Sequence, residues 1–205
     1  MGVIVLTSLL IRIVLTATDT GGDPALTRFV QLFSYFTIQS NLLLLIAVTA
    51  LALNPDRDGR LWRVIRLDAL LGIVITGIVY STILAGESDP QGAAWLADVG
   101  FHYVAPWAAL LGWLIFGPRP RIDGRTLAWS ALWPALWIGY TLAHGAATDW
   151  YPYPFSDVTA LGYPTVLVNL GAVVVIATLL ATVLRLCDTR LPGGSPAIGD
   201  RIPSS

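Results

Sequence analysis

The chain has 205 residues, 55% of them hydrophobic and only 12% charged, with a mean hydropathy of +0.69 and a net charge of −1. This composition excludes a soluble globular domain, which would need far more polar surface, and the near-neutral charge argues against nucleic acid as a partner. The single Cys187 excludes an intramolecular disulfide framework and any paired-cysteine metal or redox motif.

A membrane-spanning helix needs roughly 20 apolar residues, because the hydrocarbon core is about 30 Å thick and each residue rises about 1.5 Å. Apolar runs of about this size recur along the chain. The first, Gly2 to about Ala17, is interrupted only by Arg12 and lacks the basic start and cleavage site of a signal peptide, so it reads as a first span. After a Gly/Pro loop from Thr18 to Arg28, the second predicted span runs from Phe29 to Leu53, the third from about Leu67 to Ala85, and the fourth from about Asp98 to Phe116. The fifth covers about Thr126 to Ala147, and the sixth Tyr163 to Leu184 after an aromatic, proline-rich loop. The expected architecture is all-α: a single six-helix transmembrane domain over residues 1–184, with a polar, disordered tail over 185–205. Cys187 is expected just past the last helix.

Arginine placement orients this bundle. The connections after the second and fourth spans and the C-terminal tail carry Arg57, Arg60, Arg63, Arg66, Arg119, Arg121, Arg125, Arg185, Arg190 and Arg201, whereas the opposite side carries only Arg28. The positive-inside rule then places both termini in the cytoplasm of a multi-pass plasma-membrane protein.

The second span is unusual. Gln31, Ser34, Thr37, Gln39, Ser40 and Asn41 interrupt an otherwise aliphatic run, and the offsets 34, 37 and 41 share one helical face. Uncompensated amides and hydroxyls are costly in hydrocarbon, so this face should look into the bundle. Topology brings further polar residues to the same side: His102 early in the fourth span, His144 near the end of the fifth, Asn169 in the sixth, and the loop Trp150-Tyr-Pro-Tyr-Pro-Phe155 over them. The expected pocket opens outward, with an aliphatic cytoplasmic half.

These residues resemble the androgen-induced membrane proteins, multi-helix hydrolases of fatty acid esters of hydroxy fatty acids, and most closely a bacterial six-helix branch of that family. The resemblance lies in Phe33-Ser34-Tyr35 early in the second span, in His102 followed by Pro106, and in His144 followed by Trp150 and Tyr153-Pro154-Phe155. His102 stands one residue nearer its proline than in the family, and Tyr151-Pro152 lengthens the last motif. The resemblance implies a hydroxyl nucleophile with a histidine partner, here Ser34 or Thr37 with His102.

A hydroxyl becomes a nucleophile when a base takes its proton, and His is the usual base near neutral pH. Depth favours Ser34: it lies about 7 Å along the span from Phe29, as deep as His102 from Asp98, against about 12 Å for Thr37. The competing role of either hydroxyl is a bond to its own i−4 carbonyl. Asp98, four residues before His102, either orients the imidazole or caps a helix. His144 supports or packs; Asn41 and Asn169 either join helices or polarise a carbonyl; Trp150 and Tyr153 belong to an interfacial belt and a lid. Arg28 holds a lipid anion or faces headgroups. The function expected is hydrolysis of a membrane lipid or fatty-acyl ester without cofactor or metal. The alternative is a non-catalytic lipid-binding or structural bundle. A metal site of Asp98, His102 and His144 lacks a supporting motif, and a transporter would need more midplane charge than Arg12 and Asp68 supply.

Overall fold

The computed structural model describes residues 1–87 and 89–192, and every regular element among them is helical. The order is α1 (Gly2–Thr18), α2 (Ala25–Ser34), α3 (Phe36–Leu53), α4 (Arg60–Val79), α5 (Ala93–Val99), α6 (Ala105–Phe116), α7 (Gly124–Ser130), α8 (Leu132–Thr148) and α9 (Val158–Arg190). Two π-helical turns, Tyr80–Leu84 and Gly100–Val104, extend α4 and join α5 to α6, and a 3₁₀ turn covers Pro154–Ser156. Four passages are long and apolar enough to cross a membrane: Phe36–Leu53, Arg60–Leu84, Ala93–Phe116 and Val158–Arg190. Their length and composition suggest an α-helical membrane protein. α1 is apolar but shorter.

α4 is the central helix. It packs against α3, α6, α7 and α9, and residues such as Ile73 and Val74 are completely shielded. α9 lies at the other extreme: Val168 and Leu179 are 71% and 62% exposed. So much exposed aliphatic surface on a long helix is what contact with lipid requires, since lipid tails are as apolar as the side chains.

The second predicted span is not one helix. Tyr35 is extended (φ −65°, ψ 127°), which separates α2 from α3 and moves the helix start back to Ala25. The break frees backbone carbonyls that a continuous helix would pair. Side chains take them over: the Gln39 amide donates to the Phe33 carbonyl (2.9 Å) and the Trp137 indole to that of Ser34 (2.9 Å). The fifth predicted span also divides, at Ala131 between α7 and α8. Pro134 has no N–H to offer the Ser130 carbonyl four residues earlier, and the helix stops there.

Gly162 (φ 74°, ψ 155°) kinks α9 and sets residues 158–161 apart from the helix that runs on from Tyr163, the predicted start of the sixth span. The span is longer than predicted at its C-terminal end, where the segment 185–190, expected as disordered tail, is its last turns. Cys187 is therefore helical and half-buried rather than beyond the helix. Asp188 explains the extension. Its carboxylate, only 1% exposed, accepts from the backbone N–H groups of Arg121 (2.6 Å) and Ile122 (2.7 Å) and pins α9 to the α6–α7 connection. Residues 193–205 of the predicted tail lie outside the described residues. Nearby, the Arg63 and Arg121 guanidiniums pair with Asp58 and hold its carboxyl below the usual range. Arg119 donates to the terminal carbonyls of α6 at Trp113 (2.6 Å) and Leu114 (2.8 Å). The arginines of the α3–α4 and α6–α7 connections thus gather at one end of the bundle.

Asp188→Ala removes two charge-assisted bonds and leaves two buried donors unpaired. We expect it to cost about 3 kcal/mol, read as a lowered thermal midpoint of the detergent-solubilised protein, with Arg125→Ala as the neutral control.

Candidate functional site

The break at Tyr35 puts Thr37 in the first turn of α3, at the end of the bundle away from the arginines. Its hydroxyl lies 3.4 Å from His102 Nε2 and 3.2 Å from the Tyr153 hydroxyl, and its backbone N–H donates to that same phenolic oxygen (3.1 Å). His102 Nδ1 stands 3.0 Å from the Asp98 carboxylate and 3.1 Å from the Asp98 carbonyl. Both partners accept, so Nδ1 carries the proton and Nε2 is left with its lone pair towards Thr37. Asp98 in turn accepts from the Tyr80 hydroxyl (2.7 Å), and the Tyr80 ring lies flat on the His102 ring at 3.7 Å and 6°. A relay Thr37–His102–Asp98–Tyr80 results, in which the imidazole is held by its ring edge and its face.

Both π turns sit in this relay. Pro106 cannot donate to the His102 carbonyl, and the backbone widens to an Ala105 N–H to Gly100 carbonyl bond, which turns His102. The Ala85 N–H makes the matching bond to Tyr80. The close approach of α4 to this wide turn depends on Gly77, where a Cβ would stand 2.8 Å from Pro106.

Ser34, favoured by depth, does not reach His102. It donates to the Val30 carbonyl (2.7 Å) and shares a hydrogen with the Tyr140 hydroxyl (2.6 Å), because the break rotates α2 away from the face that α3 presents. Asp98 is no helix cap; it lies inside α5. Asn41, one turn after Thr37 and fully buried, donates to the Thr37 carbonyl (2.9 Å) and braces that turn. Asn169 donates to the Phe155 carbonyl (3.0 Å), holding the lid loop to α9. His144 is apart from the relay: its neighbours are Thr148, the Tyr140 ring, whose hydroxyl meets Ser34, and, edge-on, Trp150. Trp150 also meets Tyr35 edge-on at 5.7 Å. Arg28 donates to the carbonyls of Thr16, Gly21 and Asp23 and ties together the α1–α2 connection. Among the described residues no three His, Cys, Asp or Glu side chains converge as a metal site would need.

A cavity of about 410 Å³ begins at Thr37 and Tyr153 and runs between α4, α8 and α9. Trp133 and Trp137 wall it, and apolar side chains dominate its lining. It does not stop at mid-bundle: it reaches Asp68, Thr178 and Ala181, so the half expected to be aliphatic contains a carboxylate. Asp68 and Tyr80 are among the residues of this region that sequence reading did not single out as site residues. Tyr80 carried no spacing signal towards Asp98, whereas Asp68 was visible as a charge in an apolar run.

Burial pushes the Tyr153 phenol up to about 12, against the opposing effect of its bonds from Thr37, so Tyr153 remains a neutral donor at physiological pH. The unfolded chain releases this proton near the phenol's ordinary value of 10.0, and the folded chain at about 12. The stabilisation is complete below pH 10 and is lost as pH rises through 12. Relative to Tyr153→Phe, the wild type should lose about 3 kcal/mol across this window, measured as thermal midpoints against pH.

No family model matches this chain, and no curated protein or solved structure is significantly similar to it.

Proposed function

We propose that this protein is an integral-membrane hydrolase of lipid esters, with Thr37 as nucleophile, His102 as general base and Asp98 as the carboxylate that orients it. The observation that carries the reading is the Thr37–His102–Asp98 chain of contacts at the end of a long apolar cavity. An acyl chain fits such a cavity, and its ester would then lie beside Thr37. The Thr37 oxygen attacks the ester carbonyl and its proton passes to His102 Nε2. Asp98 stabilises the imidazolium, and the Tyr153 hydroxyl donates to the carbonyl oxygen as it gains charge. His102 returns the proton to the departing alcohol; water, deprotonated by His102, then attacks the Thr37 ester and releases the acid. The resemblance to the androgen-induced membrane hydrolases supports the role of His102; it puts the family's hydroxyl most naturally on Ser34, and it is the contact with His102 that favours Thr37 instead.

In the proposed topology, α1 and the paired α7–α8 cross the membrane with the four long passages, making six spans. The arginine-rich end is cytoplasmic with both termini, in the plasma membrane. The relay then faces the outer leaflet, from which a lipid would enter.

The test is covalent labelling of the purified protein by a fluorophosphonate. Thr37→Ala should abolish labelling, Ser34→Ala should leave it within about twofold, and His102→Gln should slow it by about 10²- to 10⁴-fold. Asp98→Asn should slow it less than His102→Gln, because the base remains. A folded wild type that takes no label points instead to a non-catalytic lipid-binding bundle, which the apolar cavity alone would serve.

A further inference from the structure

Asp68 is exposed over only 9% of its surface, yet among the described residues it has no hydrogen-bond or ionic partner, and its Oδ1 is fully occluded. It borders the cavity at the end opposite Thr37. A buried carboxyl without a partner is expensive wherever it lies, and more so in a bundle surrounded by hydrocarbon. Along α4 the cavity wall is Asp68, Leu71, Gly72, Ile75, Thr76 and Val79, one stripe at helical spacing. Thr76 on that stripe also has a buried, unpartnered hydroxyl. The distance along the helix from Asp68 to Val79 is about 16 Å at 1.5 Å per residue. The cavity therefore has a reactive hydroxyl at one end, a lone carboxyl at the other, and mostly apolar wall between.

We propose that Asp68 is a second polar subsite, which takes a hydrogen-bond donor at the far end of the ligand chain. The ligand is a bipolar amphiphile: an ester at Thr37, an aliphatic middle, and a hydroxyl or ammonium group at Asp68. This rests on the hydrolase reading for the identity of the Thr37 end, whereas the Asp68 end stands on binding alone. A plain methyl-ended chain would bury the carboxyl without a partner; a donor-ended chain gives it one, so the subsite selects by what the wrong ligand leaves unpaired.

The experiment uses the full chain in detergent and three N-methyl fatty amides of equal length, ending in methyl, hydroxyl or primary ammonium. The amide resists hydrolysis, so binding is read directly by displacement of a fluorescent acyl probe. On the wild type, the hydroxyl- and ammonium-ended amides should bind about tenfold more tightly than the methyl-ended one. Asp68→Leu should reverse the order, and Asp68→Asn should keep the hydroxyl preference while losing that for ammonium. Tightest binding of the methyl-ended amide by the wild type overturns the proposal without any variant, as does a donor preference that survives Asp68→Leu. Fluorophosphonate labelling on the same preparation separates the two readings. A donor preference without labelling leaves the subsite and removes the hydrolase; labelling with a methyl preference does the reverse.

Discussion

Inside a bilayer every backbone carbonyl and amide needs a partner within the protein, and the break at Tyr35 is where this bundle meets that demand with side chains. Gln39 and Trp137 take the carbonyls that α2 leaves open, and Tyr153 takes the Thr37 N–H at the start of α3. These donors come from α3 itself, from α8 and from the lid loop, so the break draws distant parts of the chain onto one point. Gln39 also accepts from the Trp133 indole (3.0 Å), which adds a second tie to α8. The break is also what puts Thr37 at a helix start, facing the cavity and His102, instead of midway along a featureless span.

The other half of the site is built by wide turns. A π turn ahead of Pro106 aims His102, and the π turn at Tyr80 lays a phenol ring on the imidazole while its hydroxyl holds Asp98. The imidazole is held on its face by Tyr80 and at Nδ1 by Asp98, with Nε2 towards Thr37. Over this, the lid loop is seated by close contact as well as by hydrogen bonds. Gly145 lies against the Tyr151 ring with no room for a Cβ, and Asn169 holds the Phe155 carbonyl.

At the opposite end the bundle is closed by ion pairs and by Asp188 in the last turn of α9. The two ends divide the work of the chain: one is stapled by the arginine–Asp58 pairs and the buried Asp188 carboxylate, the other by the Thr37–His102–Asp98–Tyr80 network. The cavity joins them, with Thr37 at the network end and Asp68 two turns inside the charged end. A carboxyl left alone at that depth has a cost that packing does not offset, which is why its position carries meaning.

The amino-acid sequence by itself determined the class: apolar runs near the length of a bilayer can only be helical, and their order and the arginine asymmetry follow from hydropathy and charge alone. It also marked Thr37, Asn41 and His102 as polar groups needing company, because such side chains in apolar runs are costly wherever they point. It did not decide which of them meet. Ser34 and Thr37 share one face of an unbroken helix, on which depth favours Ser34, and nothing local breaks that helix: no proline or glycine stands at Tyr35. The break is a tertiary event, made by Trp150 and Tyr153 against Tyr35, by Trp133 stacked on Phe36, and by donors more than ninety residues away. The seat of Asp188 and the depth of the cavity at Asp68 are of the same kind. Periodicity reports which side of a helix is apolar, whereas the pairing of two polar groups depends on rotation and depth, and these are settled only when the helices pack.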